Sequence, residues 1–126
     1  MGTRFIASHE SIAPEGYKQM LVDSDIDDLV VSASITGTPA SWLKPSLHAA
    51  GVDLENMPAT PERNYDGNRA LTARRWVDTW SAGQGIGAIR QISSIAEIVT
   101  ALEYDYQSAS DRFSSLKNTF ISATES

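Results

Sequence analysis

Cysteine is missing from all 126 residues. Its absence removes disulfide staples, thiolate metal ligands and a cysteine nucleophile together, and it fits a reducing compartment. Long apolar runs are missing too. No stretch approaches the ~20 residues a membrane helix requires, and the N-terminus has no apolar core of signal-peptide length, so a cytoplasmic location is expected. Positive charge is scarce: ten Lys and Arg stand against sixteen Asp and Glu, a net charge of −6. No basic stripe is present to neutralise a phosphate backbone, which argues against nucleic acid as a partner. The two histidines, His9 and His48, have no ligand-type residue four positions on, so no metal centre is expected. The acidic run from Asp23 to Asp28 lacks the glycine and closing glutamate of a calcium loop and reads as a solvated break with Ser24 or Asp25 as a cap. There is no Gly-x-Ser-x-Gly elbow to mark a serine nucleophile.

What is present reads as a mainly helical chain with two or three short strands. Residues 1–7, rich in apolar and β-branched side chains, read as a short buried strand. Tyr17, Met20 and Leu21 fall at i, i+3 and i+4, and with Pro14 at the start they predict an amphipathic helix over 14–23. Leu29 to Ile35 leans towards a strand. Trp42, Leu43 and Leu47 suggest a helix over 39–50, interrupted at Pro45 and stopped by Gly51. Residues 52–68 read as a long surface loop with one turn of helix at 53–56, and 68–80 as a helix carrying Leu71, Trp76, Val77 and Trp80. From about residue 93 to 120, Ile95, Val99, Leu102, Tyr106, Ala109, Phe113, Leu116 and Phe120 recur every three or four positions, the mark of a long helix. The tail from Ser122 to Ser126 is expected to be irregular. So few strands cannot make a sheet with helices on both faces.

Two glycine features stand out. Gly2-Thr3 follows Met1 at what reads as the end of a strand, a place where backbone N–H groups can meet a phosphate. Gly83-Gln84-Gly85-Ile86-Gly87 puts three glycines in five residues. It matches neither the dinucleotide fingerprint nor the P-loop, since no lysine follows and no strand precedes it. Read alone, it is a glycine-rich turn between helices.

Taken in order, these stretches resemble the nitronate monooxygenase (2-nitropropane dioxygenase-like) family. Met1-Gly2-Thr3-Arg4-Phe5-Ile6-Ala7 looks like the segment that ends that family's barrel, and Tyr17 to Asp23 resembles the helix after it. Thr36-Gly37, Trp42-Leu43 and Ala49 to Asp53 fit the next stretch. Trp80 to Ile89 resembles the family's Gly-Gln-Gly-Ile-Gly motif, and Ala96-Glu97-Ile98-Val99 with Leu102 its closing helix. The likeness runs from residue 1 to about 107.

The resemblance implies an α/β fold, the C-terminal part of a TIM-type (β/α)8 barrel. Residues 1–107 would be the last segment of an FMN-binding barrel domain and 108–126 the end of its helix and a tail. It implies FMN as a non-covalent cofactor, with Met1, Gly2 and Thr3 around its phosphate and Gly83 and Gln84 near the flavin. The implied reaction is oxidation of small alkyl nitronates by O2 to a carbonyl compound and nitrite. The family's catalytic histidine comes from a Gly-Gly-His stretch that neither His9 nor His48 matches, so no catalytic residue is assigned here and Met1 reads as an internal methionine. Two other expectations stand beside this one. One is a flavin-dependent enoyl-acyl-carrier-protein reductase of the same superfamily, which shares the Met-Gly-Thr-Arg-Phe stretch. The other is a non-catalytic truncated remnant, marginally stable, binding no FMN tightly, with an unpaired first strand and with Trp42, Trp76 and Trp80 facing absent parts of a barrel.

Overall fold

A computed structural model describes residues 2–56 and 79–124, with side chains followed through residue 116. The chain divides into two compact units, Met1–Ile92 and Ser93–Ser126.

The first unit begins with a helix where a strand was expected. Residues Gly2–Ile6 form helix α1. The apolar content of this stretch is too short to carry a period, and tertiary packing decides it. Thr3, Ile6 and Ala7 fall at i, i+3 and i+4, so a helical turn aims all three at one neighbour. Ala7 is fully buried and Ile6 packs beside it. With no strand here, there is no exposed strand edge. Helix α2, Glu15–Asp23, starts after Pro14, whose carbonyl accepts from the Tyr17 and Lys18 amides at 2.9 and 3.2 Å. Its stripe works as its spacing requires, with Leu21 fully buried and Tyr17 and Met20 packed on the same core.

The acidic run after α2 caps itself. Asp25 accepts from the Asp27 amide at 2.8 Å, while the Asp28 carboxylate accepts from the Asp25 amide at 2.9 Å. This capping box starts one 3-10 turn, Ile26–Asp28.

Strands β1 (Leu29–Ser32) and β2 (Ala40–Leu43) pair antiparallel, with Leu29 opposite Leu43, Val30 opposite Trp42, Val31 opposite Ser41 and Ser32 opposite Ala40. The helix expected over 39–50 is therefore shorter: its first residues are a strand, and helix α3 spans only Lys44–Ala49. Pro45 is not a kink. It sits in the first turn of α3, where its missing N–H has no intrahelical partner to lose. Strand alternation also explains how adjacent Trp42 and Leu43 are both fully buried: successive side chains point to opposite faces. Leu43 joins a cluster with Ala7, Leu21, Ala82, Ile86 and Ile89. Trp42 joins one with Ile35 and Leu47, sealed by Val30, Ala40, Val52 and Leu54.

Trp42 thus belongs to this chain's own core, contrary to the expectation that it faces something absent. Its indole N–H donates to the Ser32 carbonyl at 3.2 Å. Trp80 also packs on the core, and Trp76 lies outside the described residues, as does most of the loop and helix read over 52–80. Gly51 ends α3 with φ +74°. The Gly51 amide donates to the His48 carbonyl at 3.0 Å and the Val52 amide to the Leu47 carbonyl at 2.9 Å, the paired bonds of a Schellman cap. Asp53 then holds a turn through the Asn56 side chain and the Glu55 and Asn56 amides. Those bonds keep its carboxyl below the usual carboxylate range.

The second unit is one helix, α4, Ile95–Thr124. Ser94 and Glu97 form its capping box: the Ser94 amide donates to Glu97 Oε2 at 2.8 Å and the Glu97 amide to Ser94 Oγ at 3.2 Å. The helix runs through residues 122–124, which were expected to be irregular. Among the described residues no helix is long and apolar enough to cross a membrane.

Candidate functional site

The two glycine features, eighty residues apart, meet. The approach starts at β2. The chain at 80–82 runs antiparallel beside it: Leu43 N–H donates to the Trp80 carbonyl at 2.9 Å, Ala82 N–H to the Ser41 carbonyl at 3.2 Å, and Trp42 and Ser81 form a bridge. The Trp80 amide donates to Ser46 Oγ at 2.6 Å, which gives buried Ser46 its partner. On the other side Tyr17 stacks on Trp80 with ring centroids 5.0 Å apart and planes 12° from parallel, and its hydroxyl donates to the Ser81 carbonyl. Burial raises the Tyr17 phenol above its ordinary pKa, and the bond to Ser81 opposes that only in part.

Held on both sides, the chain turns at Gly83 into a 3-10 helix, Gln84–Ala88, anchored by buried Ile86. Helix α1 holds the chain on either side of this turn. The Gly83 amide donates to Thr3 Oγ1 at 2.9 Å, and Arg4 Nη1 donates to the Gln91 carbonyl at 2.9 Å. A Cβ at Gly83 would sit 3.3 Å from Thr3 Oγ1, tighter than ordinary contact, so glycine is what lets the two segments come this close.

Of the residues singled out from sequence, Thr3 and Gly83 are in contact, Gly2 adjoins Thr3, and Gln84 opens the 3-10 turn with its side chain exposed. Met1 lies outside the described residues. His9 and His48 are both exposed, and His48 is in the last turn of α3. The donor chemistry suits a phosphate. The amides at the start of a helix have no carbonyl one turn earlier to receive them, and no atom lies within 4 Å of the position a Cβ would take on Gly2. Gly85 and Gly87 are equally open. The Gly83 amide, by contrast, is already engaged by Thr3. Sequence reasoning missed Tyr17 and Ser46 as builders of this junction. Tyr17 shows only as one member of a helical stripe, and a serine that accepts from a distant amide leaves no signature.

The fold has a known counterpart. The fold matches that of a FabK point mutant from Thermotoga maritima, with a TM-score of 0.58 at 23% identity, over 90% of this chain and 35% of that one. In sequence, the chain is 29% identical over 126 residues to a protein named nitronate monooxygenase from Paraburkholderia phytofirmans, which covers 94% of this chain. The chain is thus similar in sequence to a protein of the family that its motifs resemble. It spans about a third of each of these relatives, 34% of the Paraburkholderia protein and 35% of FabK. No family model matches the chain.

Proposed function

We propose that this chain is the phosphate-holding part of a TIM-barrel flavin-dependent oxidoreductase, with FMN as the flavin and a small alkyl nitronate as substrate. The observation that carries the reading is the contact between Thr3 and Gly83, which joins the two segments whose wording resembles the nitronate monooxygenases. The 29% identity to a protein of that name supports the substrate class. The enoyl-acyl-carrier-protein reductase reading has the shared Met-Gly-Thr-Arg-Phe stretch and the fold likeness to FabK behind it.

Bound flavin would supply the redox chemistry, and the protein's part is binding and orientation. On this reading the amides at the start of α1, at Gly2 and Thr3, hold the phosphate. The Thr3 hydroxyl fixes α1 against the Gly83 turn, and Gln84 reaches toward the flavin. The base that acts on the substrate is not assigned to any residue of this chain.

The test is a titration of the purified chain with FMN, followed by flavin fluorescence, with riboflavin as the phosphate-free control. Saturable binding of FMN in about the millimolar range or tighter, and none of riboflavin, is expected. Equal responses to the two, or none to either, would overturn the phosphate role and favour the remnant reading.

A further inference from the structure

Helix α4 carries an apolar stripe with a seven-residue repeat. Val99, Tyr106 and Phe113 are each seven apart, and Leu102, Ala109 and Leu116 interleave with them at alternating steps of three and four. A 3.5-residue period is the seam of a two-helix coiled coil rather than the wider stripe of a helix lying on a globular core. Tyr106 is 77% exposed, Phe113 72% and Leu116 58%. Six such positions lie on one face, and among the described residues the stretch from 106 to 116 of this unit stays exposed at Tyr106, Phe113 and Leu116.

We propose that a second copy of this chain covers the seam, with the two α4 helices antiparallel. One register fills every layer from Val99 to Leu116. Val99 packs against Leu116 of the partner, Leu102 against the partner's Phe113, and Tyr106 against the partner's Ala109, each repeated by symmetry. Large faces small at the centre, as close packing of a seam requires. A parallel pair would instead set Tyr106 on Tyr106 and Ala109 on Ala109, crowding one layer and leaving a void in the other.

Charge selects the same register. In an antiparallel pair the positions just before the Val99-Tyr106-Phe113 series face one another across the seam. Here those positions are Asp105 and Arg112, so Asp105 meets the partner's Arg112 and Arg112 the partner's Asp105. Both side chains are exposed, and neither forms an ion pair among the described residues. The contact is isologous, as a two-fold dimer demands.

The test is the mass of the full chain by light scattering or sedimentation at roughly 100 µM, well above the micromolar dissociation constant of a modest helix pair. A dimer is expected, at twice the 13.7 kDa of one chain. Tyr106→Lys, on an exposed site, keeps the far-ultraviolet dichroism and yields monomer. Asp105→Arg sets arginine against arginine twice and weakens the dimer about tenfold, and adding Arg112→Asp restores it. A monomer at every concentration overturns the proposal, and so does a dimer indifferent to Tyr106→Lys, which would use another surface. A double variant no better than Asp105→Arg alone overturns the antiparallel register.

Discussion

Replacing Tyr17 with phenylalanine isolates one bond in the wall that holds the Gly83 turn. The change keeps the ring and therefore the 5.0 Å stack on Trp80, and it removes only the hydroxyl that donates to the Ser81 carbonyl. A net protein hydrogen bond contributes about 1 kcal/mol, and the half-buried setting of this one places Tyr17→Phe near that value. With a urea m-value of about 1.5 kcal/mol/M for a chain of this size, the midpoint falls by roughly 0.7 M. Tryptophan fluorescence follows the transition, because Trp80 is in the stack and Trp42 in the core.

The pH dependence gives the same bond a second reading with a definite sign. Burial raises the phenol pKa in the folded protein, so folding favours the neutral form. The stability held by neutral Tyr17 is fully present below the unfolded pKa of about 10 and is lost as pH rises through the folded value. Tyr17→Phe has no such proton to lose. The stability gap between the two proteins is therefore constant from neutral pH to about pH 9 and closes above pH 10. Equal midpoints at pH 7, or a gap that widens in alkali, would refute the account of Tyr17 as a buried donor to Ser81.

Further substitutions test the cap and the junction. Gly51→Ala forces a Cβ into a residue at φ +74° and is expected to cost about 1 kcal/mol in urea unfolding, while Ala50→Gly, one residue earlier at φ −83°, gains nothing from the left-handed region. Thr3→Val removes the acceptor of the Gly83 amide and is expected to cost about 0.5–1 kcal/mol. Gly83→Ala presses on that same hydroxyl, so the double variant loses less than the sum of the two singles. Strict additivity would mean that Thr3 and Gly83 do not touch in solution.

Legibility from sequence followed the range of the forces involved. Helix α2, the acidic cap, the glycine stop at Gly51 and the long α4 helix are each set within a few residues, by periodicity or by side chains bonding to nearby amides, and all four could be read directly. Residues 1–7 and 39–43 could not. Both are short apolar runs that suit helix or strand equally, and contacts outside each run, up to 87 residues away, decide them. Strand β2 is fixed by β1 on one side and by Trp80 and Ala82 on the other. The α1 turn is fixed by Gly83 and Gln91. Glycine-rich wording marked both ends of the candidate site, but the side chains that build it, Tyr17 and Ser46, act at ranges of 64 and 34 residues and carry no local mark.

The misread strand also changes the physics proposed for the site. A strand end offers isolated amides in alternate directions, whereas a helix start offers successive amides pointing the same way with no acceptors of their own. Helix α1 is only five residues long, too short to be stable by itself in water, so its amides are ordered only as far as its neighbours hold it. Those neighbours are Gly83, through Thr3, and Gln91, through Arg4. The Gly83 turn is in turn held by Trp80 and Ser81, which Ser46 and Tyr17 fix against α3 and α2. The glycine-rich motif therefore acts on this reading chiefly as the support that keeps α1 helical: its Gly83 amide is engaged by Thr3, while Gly2 stays open. Loss of phosphate affinity on changing Thr3 would then come from a loosened α1, and Thr3→Ser, which keeps the acceptor, should retain affinity that Thr3→Val loses.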